Sequence, residues 1–458
     1  MKRKLGNLVL DESNVMWNKA VDIIANSSRN IYLTGKAGTG KTTFLKFIRE
    51  ISDKSSIVLA PTGVAALNAG GQTIHSFFRI PFSIFTPDDI RLRFKAEKDD
   101  SDRTTIYEIF KYRRNQKNMI KGLELIIIDE VSMVRCDLLD VVDRILRAVR
   151  KRETEPFGGV QMLFIGDAFQ LSPIVKNEQW EILKHYYETP FFFSSYGYRE
   201  SAPDYIELDK IYRQTDKDFI DLLNKVRNND LDANDMEMLN SRFLPSIVKN
   251  ENHNYVLLAT HNHLVDETNY RKLGEIEYQP VEYEAEIVGE FPEKIYPTDL
   301  ILNLKVGAQV MFIRNDANRR FYNGKIGVIS ELAADKVSVL TEEGEIIEVK
   351  RTGWDNITYT WNKEEKKIDE EIIGTFIQFP LRLAWAITVH KSQGLSFDRI
   401  IADLRASFSP GQVYVALSRC TSLEGLVLKS KISRNVIKTD PAVISFSANC
   451  GKHELPGK

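Results

Sequence analysis

Residues 35–43 read Gly-Lys-Ala-Gly-Thr-Gly-Lys-Thr-Thr, between an apolar run, Ile31-Tyr32-Leu33-Thr34, and a helix-like run, Phe44-Leu45-Lys46-Phe47-Ile48. Strand, glycine-rich turn and helix in that order make a phosphate-binding loop. Gly35, Gly38 and Gly40 permit a tight backbone that aims N–H groups inward, and the helix that follows adds its N-terminus. Lys41 supplies a point charge for β and γ phosphates. Thr42 supplies a hydroxyl for magnesium, with Thr39 and Thr43 beside them on the nucleotide.

Two other strand ends offer matching chemistry. Ile126-Ile127-Ile128 ends in Asp129-Glu130, two carboxylates where ligands of open α/β sheets collect. Asp129 suits magnesium and Glu130 suits the activation of water. Gly166-Asp167-Ala168-Phe169-Gln170 ends the next apolar run, which puts Gln170 within reach of a γ-phosphate or the attacking water. Arginine answers the charge that develops on a transferred phosphoryl group. Arg213, in Tyr212-Arg213-Gln214, and Arg419, in Ala416-Leu417-Ser418-Arg419, are the candidates.

A third group fits nucleic acid: Pro61-Thr62-Gly63, Thr73-Ile74-His75-Ser76-Phe77, and Thr388-Val389-His390-Lys391-Ser392-Gln393-Gly394. Hydroxyls, glycine N–H groups and a lysine hold phosphates without reading sequence, while His75 and Phe77 or Phe78 offer faces on which bases stack. The basic run Lys111, Arg113, Arg114, Lys117 and Lys121 either extends that groove or is a solvated face. His261-Asn262-His263 lacks the carboxylate and cysteine partners of a metal nuclease.

These side chains need a scaffold. Apolar runs at 31–34, 57–59, 125–128 and 162–165 alternate with helical stretches, which predicts a parallel sheet covered on both faces. Leu138, Val141, Val142, Ile145 and Val149 form one helical stripe, with Asp140, Arg144, Arg147 and Arg150 outside it. A second set of runs, at 256–258, 376–379, 400–401 and 426–428, predicts a second α/β domain. Residues 77–122 read as a small inserted subdomain or a long excursion. From 304 to 373, short β runs with turn signals at Asn323-Gly324 and Glu343-Gly344 read as a small inserted β-barrel. From about residue 430 the pattern is weak and the chain is expected to fray.

At 458 residues, 43% hydrophobic and 28% charged, the chain suffices for two to four domains with their own cores. A net charge of -2 gives no global attraction to nucleic acid, so any such site must be a local groove. Lys2, Arg3 and Lys4 precede only Leu8-Val9-Leu10, too short for a signal, and no run approaches a membrane span, so a cytoplasmic location is expected. Cys136, Cys420 and Cys450 lie far apart, which points to reduced thiols rather than zinc ligands or disulfides.

Taken in order, the blocks resemble the helicase motifs of superfamily one and, within it, the Pif-type family of 5′-to-3′ DNA helicases. They comprise the phosphate loop and residues 60–78, 126–133, 166–174, 212–214, 386–398 and 413–420, nearly the whole chain. Glu130-Val131-Ser132-Met133 through Asp137-Leu138-Leu139 to Phe157-Gly158-Gly159-Val160-Gln161 is similar to that family's signature segment. Leu304-Lys305-Val306-Gly307-Ala308-Gln309-Val310-Met311 is similar to the opening of its small SH3-like barrel. RecD-like and phage Dda-like helicases share the ATPase blocks and match this segment less well.

The resemblance implies an α/β fold of two RecA-like P-loop domains. The first spans 1–195 with the insert at about 77–122; the second spans 196–303 and 374–430, interrupted by the SH3-like barrel at 304–373; a tail covers 431–458. ATP and Mg2+ are the implied cofactors. Lys41, Thr42, Asp129, Glu130, Gln170, Arg213 and Arg419 fall on ATPase positions, and Gly394 lies beside the nucleotide. Thr62, Gly63, His75, Phe77, Thr388, His390, Lys391 and Ser392, with Pro61, fall on or beside DNA-contacting positions.

The implied partners are single-stranded DNA and tailed or forked duplex, with G-quadruplexes and RNA–DNA hybrids as further candidates. A monomer is expected, and the family brings roles in DNA repair, recombination and telomere maintenance. Where the family usually has an adenine-recognising glutamine, Asn18 stands with a shorter amide; Ala168 and Ser172 replace larger or imino residues. A compact bacterial or phage-like enzyme without organelle targeting is expected. The alternative from another class is a DNA-stimulated ATPase that remodels protein–DNA complexes.

Overall fold

The computed structural model describes residues 14–450 apart from 97–101, 215, 250–254, 317, 319, 363, 366 and 408. The N-terminal basic residues Lys2, Arg3 and Lys4 therefore lie outside the described residues, as do 451–458. Strands β1 (Ile31–Gly35), β2 (Ser56–Ala60), β3 (Gln72–Thr73), β4 (Leu125–Ile128), β5 (Gln161–Ile165) and β6 (Asp204–Leu208) build one sheet in the order β3-β2-β4-β5-β1-β6. Every pairing in it is parallel. The apolar runs of β1, β2, β4 and β5 do not alternate because helices bury both faces. That order sets the carboxyl ends of β4, β5 and β1 side by side, so three sequence-distant loops open into one crevice.

The first sheet continues past the expected boundary at 195/196. β6 pairs with β1 from Ile31↔Asp204 to Gly35↔Leu208, so this domain runs through Leu208. Residues 77–122 contain short helices, Ile106–Ile109 and Arg114–Gly122, but their described residues make no separate core. Phe78, Phe85, Leu92, Ile106 and Ile120 join Ile57, Leu59 and Ile126 of the sheet in one cluster. The stripe on helix Cys136–Arg150 is buried as expected, yet Asp140 and Arg147, placed outside it, are buried too. Asp140 accepts from Tyr187 Oη at 2.8 Å and Ser195 Oγ at 2.6 Å, and Arg147 meets Asp143 at 2.7 Å. This helix is enclosed all round, and paired polar groups are what such burial admits.

After β7 (Val256–Ala259) the chain enters an antiparallel excursion: β8 (Val281–Glu284), β9 (Glu286–Gly289), β10 (Ile301–Leu304), β11 (Gln309–Phe312), β12 (Ile326–Leu332), β13 (Lys336–Thr341), β14 (Ile346–Lys350), β15 (Thr352–Asn362), β16 (Lys367–Gln378) and β17 (Leu381–Leu383). It then returns through β18 (Ala386–Thr388), β19 (Ile400–Ala402) and β20 (Leu426–Leu428). The second parallel sheet is β18-β7-β19-β20. The excursion holds a five-stranded sheet, β14-β13-β12-β11-β17, and a smaller one, β15-β16-β9. It is wider than 304–373, and the run at 376–379 is not a strand of the second parallel sheet. Its Phe376 packs with Phe291 and Trp354, and its strand pairs antiparallel with β15 and β9.

The β15–β16 hairpin reaches back to the first domain. β3 has two residues, which leaves the outer edge of β2 open, and the hairpin covers that edge. Val58 N–H donates to Tyr359 Oη at 3.0 Å, Gln72 Nε2 donates to the Ile357 carbonyl at 3.0 Å, and Arg49 meets Glu370 at 2.8 Å.

The tail does not fray over its described part. Helix Pro441–Cys450 docks on the first domain, with the Phe446 ring stacked on Phe193 at 4.2 Å and 5.7 Å from Tyr32. Phe446→Ala is expected to cost about 2 kcal/mol of that docking. The check is limited proteolysis: cleavage near residue 440 should appear in the variant and not in the parent. Among the described residues, no helix is long and apolar enough to cross a membrane.

Candidate active site and nucleic-acid interface

β1 delivers the phosphate loop, and Gly40 caps helix Lys41–Ile51. Gly38 has φ +84°, and a Cβ there would lie 2.5 Å from Arg213 Cβ, so both backbone and space demand glycine. Thr39 Oγ1 donates to the Lys36 carbonyl at 2.9 Å. Lys41 Nζ lies within the loop, donating to the carbonyls of Gly35 at 2.6 Å and Lys36 at 3.1 Å. Burial lowers its pKa, against which the Asp167 and Glu130 carboxylates favour the charge. Thr42 and Thr43 are exposed on the first turn, and Asn18 is exposed on helix Val15–Asn26. That helix touches the Tyr212 hydroxyl through Asn14 Nδ2 at 3.4 Å, and the Tyr212 ring passes 3.8 Å from a Cβ built on Gly40. Tyr212 is therefore a base-stacking candidate that the sequence reading used only as a neighbour of Arg213.

At the end of β4, Glu130 takes φ +51°, a left-handed conformation that costs a residue with a side chain about 1 kcal/mol or more. Burial pushes the Asp129 carboxyl up to about 7, and the adjacent Glu130 charge adds to it. Glu130 is likewise raised by burial, opposed by Lys41 and Arg419. A cation relieves carboxylates in this state, so Asp129 with the exposed Thr42 hydroxyl fits magnesium held on a triphosphate. Glu130 Oε2 accepts from Gln393 Nε2 at 2.7 Å, and the same amide reaches Gln170 Oε1 at 3.5 Å. Gln393, from the second domain, thus joins two first-domain residues. Gly394 beside it faces open space with φ +79° and makes no such contact.

The two arginines converge on this crevice. Arg419 is buried on carbonyls, with Nε to Val415 at 2.9 Å and Nη1 to Leu395 at 3.4 Å, and burial pulls its pKa down to about 10. Arg213 donates to the Ser418 carbonyl at 3.2 Å and falls to about 9, through burial and then the charge of Arg419. Two buried guanidiniums, one of them felt by the other, form a receptor for a multivalent anion. A further link across the domains is the Ala37 N–H of the phosphate loop, which donates to Tyr414 Oη at 3.0 Å.

The nucleic-acid candidates divide. Thr62 is exposed, its Oγ1 accepting from Ala65 N–H at 3.2 Å, with Pro61 and Gly63 partly exposed beside it. His75 is half-buried, its Nδ1 3.0 Å from the Ile80 carbonyl, and burial lowers its pKa, which keeps the ring neutral. Phe77 is only 3% exposed and edge-on to Phe78, so it is a core residue; the aromatic on the surface is Phe82, 81% exposed and 4.3 Å from the His75 ring. Thr388 and Ser392 are also buried. Ser392 Oγ donates to the Val389 carbonyl and Thr388 Oγ1 accepts from Lys391 N–H, leaving half-buried His390 and exposed Lys391 as the outward groups. Thr260 and His261 follow β7, which pairs with β18, and stand next to this loop.

Fold and loop together define a P-loop protein in which two parallel sheets meet around one nucleotide crevice. Residues 8–237 match the PIF1-like helicase family. The ATP-dependent DNA helicase Pif1 of Bdellovibrio bacteriovorus is 31% identical over 435 residues, covering 93% of this chain and 90% of that protein. A crystal structure of Bacteroides Pif1 in complex with ADP-AlF4 superposes with a TM-score of 0.89 at 40% identity over 98% of both chains. The Bacteroides Pif1 structure with ADP-AlF3 and ssDNA gives 0.66 at the same identity, over 98% of this chain and 99% of that one. The chain belongs to the PIF1-like helicase family.

Proposed function

We propose that this protein is an ATP- and Mg2+-dependent DNA helicase that moves 5′ to 3′ on single-stranded DNA and unwinds tailed or forked duplexes. The observation that supports the reading is the contact of Gln393 with Glu130 and Gln170, because it joins a loop of the second parallel sheet to the two residues we assign to hydrolysis. The phosphate loop and Lys41 bind the triphosphate, Glu130 orients and deprotonates the attacking water, and Gln170 senses the outer phosphate. Arg213 and Arg419 answer the charge that develops there. Magnesium, held by Thr42 and Asp129, neutralises phosphate charge when bound. Closing on ATP and reopening after hydrolysis would shift the grip on a strand lying across Thr62, Gly63, His75, Phe82, His390 and Lys391.

The lower superposition on the ssDNA-bound relative supports a domain rearrangement when the strand binds. So does the position of the segment before β10, whose Ile295 packs on Gly63 and whose Lys294 lies 5.6 Å from the Phe82 ring. The sheet β14-β13-β12-β11-β17 we assign to the SH3-like barrel; its antiparallel meander with a register shift at Ile329/Glu331 supports that assignment. Polarity rests on family membership alone, since a strand gripped by phosphates and stacked bases can be moved either way. Duplexes with a 5′ tail, a 3′ tail or blunt ends test it. Unwinding of the 5′-tailed duplex alone, dependent on hydrolysable ATP, is expected. Preference for the 3′ tail would overturn the polarity, and DNA-stimulated hydrolysis without unwinding would favour a remodelling ATPase.

A further inference from the structure

One ion pair between the domains has no part in the reading above. Arg227 lies in the last turn of helix Lys217–Asn228, which packs beside helix Gln412–Leu417 of the second domain. Its partner, Asp167, stands just past the carboxyl end of β5 in the first domain. The Arg227 side chain is 6% exposed and that of Asp167 is fully buried. Arg227 Nη2 donates to Asp167 Oδ1 at 3.0 Å, and Nε lies 3.5 Å from Oδ2. The guanidinium carbon sits 3.7 Å over the Phe169 ring, and Glu207 lies 3.9 Å from Nη2. One planar group therefore holds both the carboxylate and the aromatic of a single turn.

That turn carries Gln170. Asp167 Oδ1 accepts from Phe169 N–H at 3.2 Å, and Oδ2 from Gln170 Nε2 at 3.5 Å. Gln170 Oε1 in turn meets the Gln393 amide that holds Glu130. We propose that Arg227 is a positioning residue that couples domain closure to ATP hydrolysis, by gripping Asp167 so that Gln170 keeps its place beside Glu130.

Simple adhesion would be served as well by apolar side chains, since a buried ion pair gives back little beyond its own desolvation. This pair instead spans two bodies that must move, and its carboxylate also binds a candidate phosphate sensor. When the domains part, the guanidinium leaves with the second one. Asp167 then loses its cation, and the turn that places Gln170 loses its support.

The inference rests on the ATP-driven helicase reading, and the experiment separates the two. Arg227→Ala and Arg227→Lys are made in the full chain, and four quantities are measured: ATP turnover with and without saturating single-stranded DNA, affinity for a fluorescent ATP analogue, DNA affinity and melting midpoint. Arg227→Ala is expected to lower the DNA-stimulated kcat by ~100-fold, the scale for a displaced reacting geometry, with nucleotide and DNA affinities within about twofold of the parent on that same argument. Arg227→Lys should recover part of the rate, because it restores the charge but not the planar fork. Adding Asp167→Asn to Arg227→Ala should cost little more, since both act through one contact.

Parental kcat in Arg227→Ala, with or without a lowered melting midpoint, would make the pair a structural tie and overturn the proposal. A proportional loss of kcat and nucleotide affinity would overturn it too. If the alanine variant does not fold, the lysine variant decides by the same split. A parent protein without DNA-stimulated turnover would instead sink the helicase reading.

Discussion

Lys41→Ala is expected to abolish ATP turnover, by ~10³-fold or more on the scale of a lost transition-state donor, while single-stranded DNA binding persists. The lysine sits inside the loop with its ammonium on two loop carbonyls, so its charge lies where the outer phosphates of a bound triphosphate belong. The loop's other lysine, Lys36, offers its carbonyl to the Lys41 ammonium. The DNA candidates Thr62, His75, Phe82, His390 and Lys391 stand on other segments, after β2, β3 and β18, and are expected to keep their geometry. Phosphate release under single-turnover conditions, beside strand binding without nucleotide, provides the check. Turnover near the parental rate would remove the phosphate-loop assignment.

Arg419→Ala should lower DNA-stimulated hydrolysis by ~10³-fold or more, the range for arginines that complete a phosphoryl-transfer site from outside it. Nucleotide affinity should change far less. The guanidinium is held on second-domain carbonyls from Val415 and Leu395, and Arg213 approaches the same segment at the Ser418 carbonyl. Arg419 therefore belongs to the second domain, and under the proposed function it would reach the phosphates when the crevice tightens around nucleotide. Measured kcat and affinity distinguish the possibilities: if both fall in equal proportion, Arg419 is a ground-state contact and closure is not what it reports.

The chemistry was more legible than the packing. The phosphate loop and Asp129-Glu130 show in sequence because each follows an apolar run directly, so local order already gives the geometry. β6 did not show, since Asp204-Tyr205-Ile206-Glu207-Leu208 alternates like a half-covered strand, which is what an edge position makes of it. The run at 376–379 misled because a short apolar stretch does not disclose whether its partners are parallel. Phe77 reads as a stacking face for a similar reason: it lies in a helix of only five residues, too short for a period that separates core from surface. Gln393 was quoted within its block but not chosen, because its role exists only once the second domain stands against Glu130. The terminal helix is held by Val443 and by the ring of Phe446, which meets aromatic residues more than 200 positions away.

The hairpin over β2 has a thermodynamic reverse side. Its tyrosine bonds the backbone of a strand that lies next to β4, the strand ending at Asp129. Any ligand that binds only with the hairpin lifted must overcome those contacts. By reciprocity, loosening them raises that ligand's affinity by the same factor. The strength of a few bonds on the flank of the first sheet would thereby set part of the threshold for any such ligand, and a population of chains would cross that threshold as a shift in equilibrium rather than as a mechanical release.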